Sequence, residues 1–583
     1  MTVASFHFHG YQPGDVLRWT EADPLKPPRF EERRSPVALR IGGERVTGRN
    51  WTDAVLRAYG RIERVLHRAA GAASVDVEPQ TLVWLLERDP DAYGRVVSAW
   101  RTGAAGLAIT PPFHPFLPHH HRAEREALFE MMFDFYAPIL RAHAGPVGLW
   151  LPEAGYTSET LESYLDSAGR ASTRYEDLPD LARGPYLVLD SRQLAAEEEA
   201  TTAWGRTGLD AGLRFAARDP GLSGEFAFGG SSADAFAGSV VARRMDSLLV
   251  ASDLESLLSN PAQGDRFAEI VEGLRKRGVT VTSPAPPDRP MAAGVLDYSS
   301  WSDYDEHTLH GRTSDTRWTG LRRSDGAVVS RVHRGEPLSQ LWKHAFTVLT
   351  VQVEDAIRRT ARAVLKVLDV ERRSVALRAL AIAYGRHLFQ SHFRACGWSS
   401  SDVEFERAAG TLLRGRVDIE VAGYLARAYV SMLMGLRSDP RFWDGPDTRV
   451  TFQNVACLAQ ALVDAAELCR RAGEPDRGER LLRLLRVALW EFPEAHGRTH
   501  VVGLHGAEGW EMTEAAWIRS LQSEVPERSR EDVVRRAARY SVGDALSMLS
   551  VRSPESGVVA DTGHIAGESH GEWENPDWCE HRP

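Results

Sequence analysis

Along the first 285 or so residues the apolar positions switch repeatedly between two periods. Short apolar runs at Val3 to His9, Ala73 to Val77, Leu107 to Thr110, Val147 to Leu151, Tyr186 to Asp190, Ser247 to Ser252 and Val279 to Thr282 read as buried strands. Between several of them, Trp51 to Arg68, Ala123 to Ala142, Ser158 to Ser167 and Arg266 to Arg277 space their apolar residues by three and four, as one face of a helix does. About seven such alternations predict a parallel barrel or a doubly wound sheet. The stretch near 191–232, rich in Gly, Ala and acids, reads as an insertion, and the proline cluster Ser283 to Pro290 as a loop or boundary.

From Glu336 to Ser550 the pattern turns helical, with segments Leu341 to Leu368, Ser374 to Arg394, Ile419 to Leu436, Val455 to Arg471, Glu479 to Trp490 and Arg530 to Leu549. The expected organisation is a barrel domain over 1–330, a helical domain over 331–552 and a disordered tail over 553–583, whose polar, acidic and Gly-rich composition cannot offset the entropy of ordering. A chain of 583 residues is long enough for two or three domains and a sizeable active site.

Composition then narrows the function. A net charge of −10 speaks against nucleic acid as a partner and leaves neutral polymers open. Only four of the 70 basic residues are Lys, and the Arg residues are spread along many helices, which we attribute to genome composition. The four cysteines, Cys396, Cys457, Cys469 and Cys579, form no CxxC pair, so a reducing compartment fits. The N-terminus MTVASFHFHG lacks the pattern of a secretory signal, and no apolar window approaches the ~18 residues needed to cross a bilayer, so a cytoplasmic location is expected, with no membrane partner.

Candidate chemistry gathers at strand ends. FHFHGYQP, residues 6 to 13, alternates so that His7 and His9 share one face of the first strand and Phe6 and Phe8 the other, with Gln12 just behind. TPPFHPFLPHHHR, residues 110 to 122, is a proline-stiffened loop in which His114 lies nearest the strand and is expected to face substrate; His119, His120 and His121 are expected at the surface. In GLWLPEAGYT, Pro152 ends a strand and delivers Glu153 to its C-terminal edge, three residues after Trp150; a carboxylate beside an aromatic ring there suggests sugar chemistry, with Trp150 expected against the substrate. In LLVASDLESLLS, Asp253 and Glu255 follow another strand; they suit either a catalytic pair with Glu153 or the first turn of a helix beginning at Leu254. LDYSSWSDYDEHTLHGRTSDTRW adds Trp301 as a sugar-stacking candidate, with Asp297, Asp303 and Trp318 behind it; interdomain packing suits Trp318 equally.

FHFHGYQP, GLWLPEAGY and ASDLES, in this order, resemble the conserved regions of glycoside hydrolase family 57, and VEPQTLVWL, YSSWS and FRACGW extend the likeness across most of residues 1 to 400. The resemblance implies a seven-stranded (β/α) barrel followed by an all-helical C-terminal domain that closes over the cleft. It also implies a retaining α-glucan hydrolase or glucanotransferase, with Glu153 as nucleophile, Asp253 as acid/base, His7 and His9 lining the sugar site, Trp301 near a substrate-contacting aromatic, no cofactor, and an oligo- or polysaccharide as partner. One departure stands out: the usual Gly between the Asp and the Glu is Leu254. Two alternatives follow from the residues. One is a catalytically impaired barrel that binds glycan or a protein; the other is a metal-dependent deacetylase or mannosidase-like hydrolase using His7, His9 and His114.

Overall fold

The computed structural model describes residues 2–11, 17–18, 24–25, 29–30, 39–41, 44–46, 58–182, 184–194, 204–206, 213–258, 261–285, 291–292, 295, 299–301, 316–320, 328–333, 336–367, 373–413, 418–442, 449–486 and 488. Gln12, Asp297, Asp303, Cys579, the helix expected at Arg530 to Leu549 and the tail 553–583 lie outside them.

Seven parallel strands close into a barrel: β1 (Val3–Gly10), β2 (Ala73–Val77), β3 (Gly106–Ile109), β4 (Val147–Leu149), β5 (Tyr186–Asp190), β6 (Arg214–Arg218) and β7 (Ser247–Asp253). Neighbours in sequence are neighbours in space, and β7 returns to pair with β1 over seven residues, which removes the sheet edge. Helices link the strands on the outside, among them α1 (Ile62–Arg68), α2 (Pro79–Arg88), α3 (Pro90–Arg101), α4 (Arg122–Leu140), α5 (Ser158–Arg174), α6 (Pro220–Phe228), α7 (Ala233–Ala242) and α8 (Pro261–Lys276).

The strand count matches expectation, but one member differs. The sixth barrel strand, RFAAR, comes with α6 from the stretch read as an insertion, while Thr280–Val281 forms only a short strand beside the start of β1. The reason is local: an Arg at each end of a five-residue strand hides a buried Phe-Ala-Ala centre from any hydrophobic pattern.

Alternation along β1 divides two apolar cores. Phe6 and Phe8 point outward and meet Phe226 of α6 and Phe267 of α8 at ring-centroid distances of 5.0 to 5.9 Å, within the large core between strands and helices. A smaller core of Trp150, Ala154, Tyr186, Val188, Ala216 and Leu249 fills the barrel itself. Gly148 in β4 is needed for that filling, because a Cβ there would lie 2.9 Å from Ala108 and 3.0 Å from the Tyr186 ring.

The C-terminal region is helical as expected, with α9 (Leu341–Val367), α10 (Arg373–Leu388), α11 (Ile419–Met434), α12 (Arg449–Ala472) and α13 (Pro475–Arg486), preceded by a hairpin of Ser330–His333 with Glu336–Ser339. It packs on α4, whose acids at spacing four form a ladder. Glu126 and Glu130 each pair with Arg170 of α5 and Arg378 of α10, and Asp134 pairs with Arg386 of α10. Arg residues that looked merely dispersed in sequence therefore join the two regions, since a planar guanidinium can bridge two carboxylates.

The same packing overturns the surface reading of the triple histidine. His120 and His121 are buried and His119 is partly covered, because the C-terminal helices lie over their loop. His120 Nδ1 is 3.1 Å from Glu354 of α9, and Arg358 is 3.5 Å from Glu124 of α4. Burial pushes Glu124 up to about 7 and Glu354 up to about 8, partly offset by Arg358, while burial drives His120 well down; Glu354 thus meets His120 as a neutral acid beside a neutral ring. Groups whose pKa is raised on folding contribute stability that is present in acid and lost as pH rises through the folded value. Melting temperature is therefore expected to fall as pH rises toward about 8, above which Glu354 is ionised in both states, most clearly above about pH 6.5, where unfolded His120 no longer takes up a proton; Glu354→Gln, which imitates the neutral acid, is expected to flatten that fall, and calorimetric melts of both proteins between about pH 6.5 and 8 check it.

Candidate active site

The C-terminal ends of parallel barrel strands form one face, and here that face carries the candidate residues. Strand register sets the first row. In the β1 ladder His9 lies directly between Asp76 of β2 and Asp253 of β7, and His7 beside Ser74. His9 Nδ1 is 2.7 Å from Asp76 Oδ2, His7 Nε2 is 3.1 Å from Asp76 Oδ1, and His7 Nδ1 is 2.9 Å from Ser74 Oγ. His9 Nε2 reaches His114 Nε2 at 3.0 Å, and His114 Nδ1 reaches Ser438 Oγ at 2.7 Å. Tyr11 stacks on His114 at 4.0 Å between ring centroids.

Electrostatics assign protons along this row. Burial opposes charge on His9, but the adjacent Asp76 carboxylate, with help from Asp253 and Glu255, lifts it to about 9. His114 is driven well down by burial and by the charges of His9 and Arg437. His9 is therefore the imidazolium, donating to Asp76 and to His114 Nε2, and His114 is neutral with its proton on Nδ1, donated to Ser438.

Glu153 follows β4 in a single 3-10 turn, Pro152–Ala154. Both Glu153 (φ 60°) and Ala154 (φ 49°) lie in the left-handed region, as do Phe113 (φ 70°) and His114 (φ 47°) after β3. Each such residue costs about 1–2 kcal/mol, so two adjacent pairs require restraint from outside. They have it. Trp301 N–H donates to Glu153 O (3.1 Å) and Gln193 Nε2 to Ala154 O (2.8 Å); Phe113 N–H donates to Glu78 (2.7 Å) and Ser438 N–H to His114 O (2.9 Å).

The Glu153 carboxylate accepts a 2.7 Å bond from Trp301 Nε1. Trp301 is in turn held by Arg218 of β6, whose guanidinium lies 4.4 Å from the ring centroid, and by Arg192, which donates to its carbonyl. Both arginines converge on buried Asp190 at the end of β5. Burial raises Glu153 to about 6 against the Trp301 bond, and the negative charge of Asp253 adds to the rise. Asp253 is also raised, by burial first and by Asp76, with His9 and Arg218 opposing. It lies deep within the fold yet keeps its side chain open to the cleft, and this access to water tempers the effect.

The sequence candidates thus converge, with some changes of position. Glu153, Asp253, His9, His114 and Trp301 share one face; Glu255 sits a turn away, accepting from Tyr59 at 2.6 Å. Trp150 is fully buried beneath Trp301, at 4.7 Å and edge-on, and touches His7 and His9, so it forms the floor of the site and not an open sugar platform. His7, His9 and His114 are likewise buried, His9 and His114 to the same degree. Trp318 stacks on Phe116 at 4.5 Å and donates to Ser300, the packing role considered for it. Leu254 opens a short helix, Leu254–Leu258, and buries its side chain against Gly10, leaving Asp253 at the strand end. Sequence reasoning missed Asp76, Glu78, Asp190, Arg218 and Ser438; the acid at the end of β2, in ASVDVEP, was the one visible hint.

Among the described residues no group of three or more His, Cys, Asp or Glu is arranged to hold a metal ion. His7, His9 and His114 direct their ring nitrogens to Ser74, Asp76, Ser438 and each other.

Comparison with known proteins agrees with this architecture. A model of the maltose-forming alpha-amylase-like N-terminal domain matches residues 1–286, and its C-terminal counterpart matches residues 317–555. The crystal structure of an exo-type maltose-forming amylase from Pyrococcus sp. ST04 is 32% identical, with a TM-score of 0.73 over 100% of this chain and 99% of that one. A 4-alpha-glucanotransferase from Thermococcus litoralis, 13% identical, has a TM-score of 0.43 over 81% of this chain and 60% of that one, too distant to weigh. No curated protein matches the chain. Fold and family place the protein among the glycoside hydrolases of family 57, enzymes of the α-glucan-active class. Within that class the chain belongs to the maltose-forming alpha-amylase-like family.

Because the Trp301 bond lowers the Glu153 pKa, Trp301→Phe is expected to raise it above about 6. Infrared difference titration of the carboxyl band, assigned by its loss in Glu153→Gln, checks this; an unmoved midpoint would contradict it.

Proposed function

We propose that the protein cleaves or transfers α-linked glucan chains with retention of configuration, with Glu153 as nucleophile and Asp253 as acid/base. The observation that supports this most is the placement of these two acids at the C-terminal ends of β4 and β7, within electrostatic reach of each other across the His9 imidazolium. In the first step the Glu153 carboxylate attacks the anomeric carbon, the glycosidic bond breaks, and Asp253 gives its proton to the departing oxygen. In the second, Asp253 takes a proton from water or an acceptor hydroxyl, whose oxygen displaces Glu153. Trp301 and the His9 charge hold Glu153 and moderate its basicity, and the raised pKa of Asp253 keeps a proton available for the leaving group.

His9 and Trp301 are the side chains we place against the sugar, with Glu255 and Gln12 further out, Gln12 on its sequence position alone. Trp150, His7 and His114 act from beneath. The barrel unit is assigned to 1–330 and the helical unit to 331–552. As the Pyrococcus relative is named an exo-type maltose-forming amylase, maltose released from α-glucan chain ends is the product to seek first. No helix among the described residues is long and apolar enough to cross a membrane, and none of the three described cysteines forms a disulfide, which suits the cytoplasm.

The activity is tested on maltooligosaccharides and amylose, with product size and anomeric configuration followed by chromatography and NMR. Glu153→Gln is expected to abolish turnover, and Asp253→Asn to lower it about 10²–10⁴-fold, with a smaller loss on activated aryl glycosides that need no proton. Wild type is expected to show a bell-shaped rate profile. Its acid limb is expected near pH 6, where Glu153 must ionise, and its alkaline limb, where the acid/base gives up its proton, is expected to vanish in Asp253→Asn. Equal activity in wild type and Glu153→Gln, or none in either on any α-glucan, sinks the proposal.

A further inference from the structure

The site is not built by the barrel alone. Between α11 and α12 the chain dips under the barrel mouth, where Arg437 bridges to Pro115 in antiparallel fashion and Ser438, fully buried, bonds twice to His114. Its N–H donates to the His114 carbonyl at 2.9 Å, and its Oγ lies 2.7 Å from Nδ1. The segment is fastened independently of the hydroxyl: Arg437 donates to Gln80 at 2.9 Å, Asn454 donates to the Arg437 carbonyl at 3.1 Å, and Arg441 N–H donates to the Ser438 carbonyl at 2.9 Å.

We propose that Ser438 is a positioning residue of the active site, whose hydroxyl fixes the tautomer of His114 and through it keeps His9 charged beside the two acids. This rests on the reading of Glu153 and Asp253 given above. The argument is one of proton count. Two Nε2 atoms 3.0 Å apart can share only one hydrogen, so if His9 donates there, His114 must carry its own proton on Nδ1. A buried Nδ1–H needs an acceptor, and Ser438 Oγ supplies it. Without that oxygen the proton of His114 is better placed on Nε2, where it faces the Nε2–H of His9, and His9 must give up its charge. Around His9 the charged and titratable groups are His7, Asp76, His114, Asp253 and Glu255, with Tyr11 stacked alongside, Glu153 responding to the His9 charge, and Arg437 helping to keep His114 neutral. Loss of the imidazolium removes an influence that lowers both Glu153 and Asp253, so both titrate at higher pH.

The test compares wild type, Ser438→Ala and Ser438→Thr. In ¹⁵N-histidine NMR, with His114 assigned by its loss in His114→Gln, wild type is expected to show His114 neutral with Nδ1 protonated and His9 as imidazolium near neutral pH. Ser438→Ala is expected to lose both signatures without a large change in melting temperature. On maltooligosaccharides its acid limb is expected to move upward by about one pH unit, kcat below the limb to fall about tenfold, and KM to change less than about twofold. Ser438→Thr, which keeps the oxygen, is expected to restore the tautomer and the profile. Native histidine signals in Ser438→Ala, or an unmoved acid limb in a folded variant, overturn the proposal. The NMR arm needs no substrate, so a protein that shows the expected tautomers but cleaves no glucan would refute the assigned reaction and leave the positioning role standing.

Discussion

Asp76 is the charge on which the site depends. A carboxylate wholly buried inside a barrel is costly unless compensated, and here two imidazoles from the neighbouring strand compensate it, one on each oxygen. Although burial alone would raise its pKa, His9 and His7 bring it below the ordinary range. This interaction orients both rings of β1, makes His9 the cation at the base of the cleft, and thereby sets the protonation of His114 and the field felt by Glu153 and Asp253. All of it follows from strand register: β1 is the strand shared by β2 and β7, so its side chains meet an acid on either side.

The helical region completes what the barrel begins. The backbone after β3 turns through two left-handed residues that no glycine eases, and the turn is pinned by Glu78 from one side and Ser438 from the other. The turn after β4, which carries Glu153, is pinned by Trp301 and Gln193. Strain at the two points nearest the chemistry is thus offset by hydrogen bonds from segments distant in sequence. The ladder of acids on α4, paired with arginines of α5 and α10, keeps the two regions in register so that Ser438 can reach the row of histidines. The helical region is in this sense part of the candidate active site and not a passive cover.

How much of this was legible beforehand depends on how local each signal was. Glu153, His7 and His9 stood out because a strand end, a proline and a period of two are written in consecutive residues. The identity of the sixth strand was not legible, since Arg214 and Arg218 mask its apolar centre; in the structure Arg218 is there to hold Asp190 and to lie against Trp301. The triple histidine looked exposed because nothing nearby in sequence covers it; helices more than 200 residues later do. Trp150 looked like a sugar platform because an aromatic ring beside a carboxylate suggests one, but the narrow interior of a seven-stranded barrel must be filled, and Trp150 fills it.

By itself the sequence determined the alternation of strand and helix, the passage to a helical second half, the order of the strand-end motifs and the place of Glu153 at the end of a strand. Each of these is set by periodicity and neighbouring residues, which act over a few positions of chain. Tertiary structure alone decided which strand completes the barrel, that Asp76 charges His9, that Trp301 binds the Glu153 carboxylate, and that Ser438 reaches His114 from 324 positions away in sequence. Those are contacts between segments whose spacing in the chain carries no information about their distance in space; closure of the barrel and the docking of the helices on α4 create them.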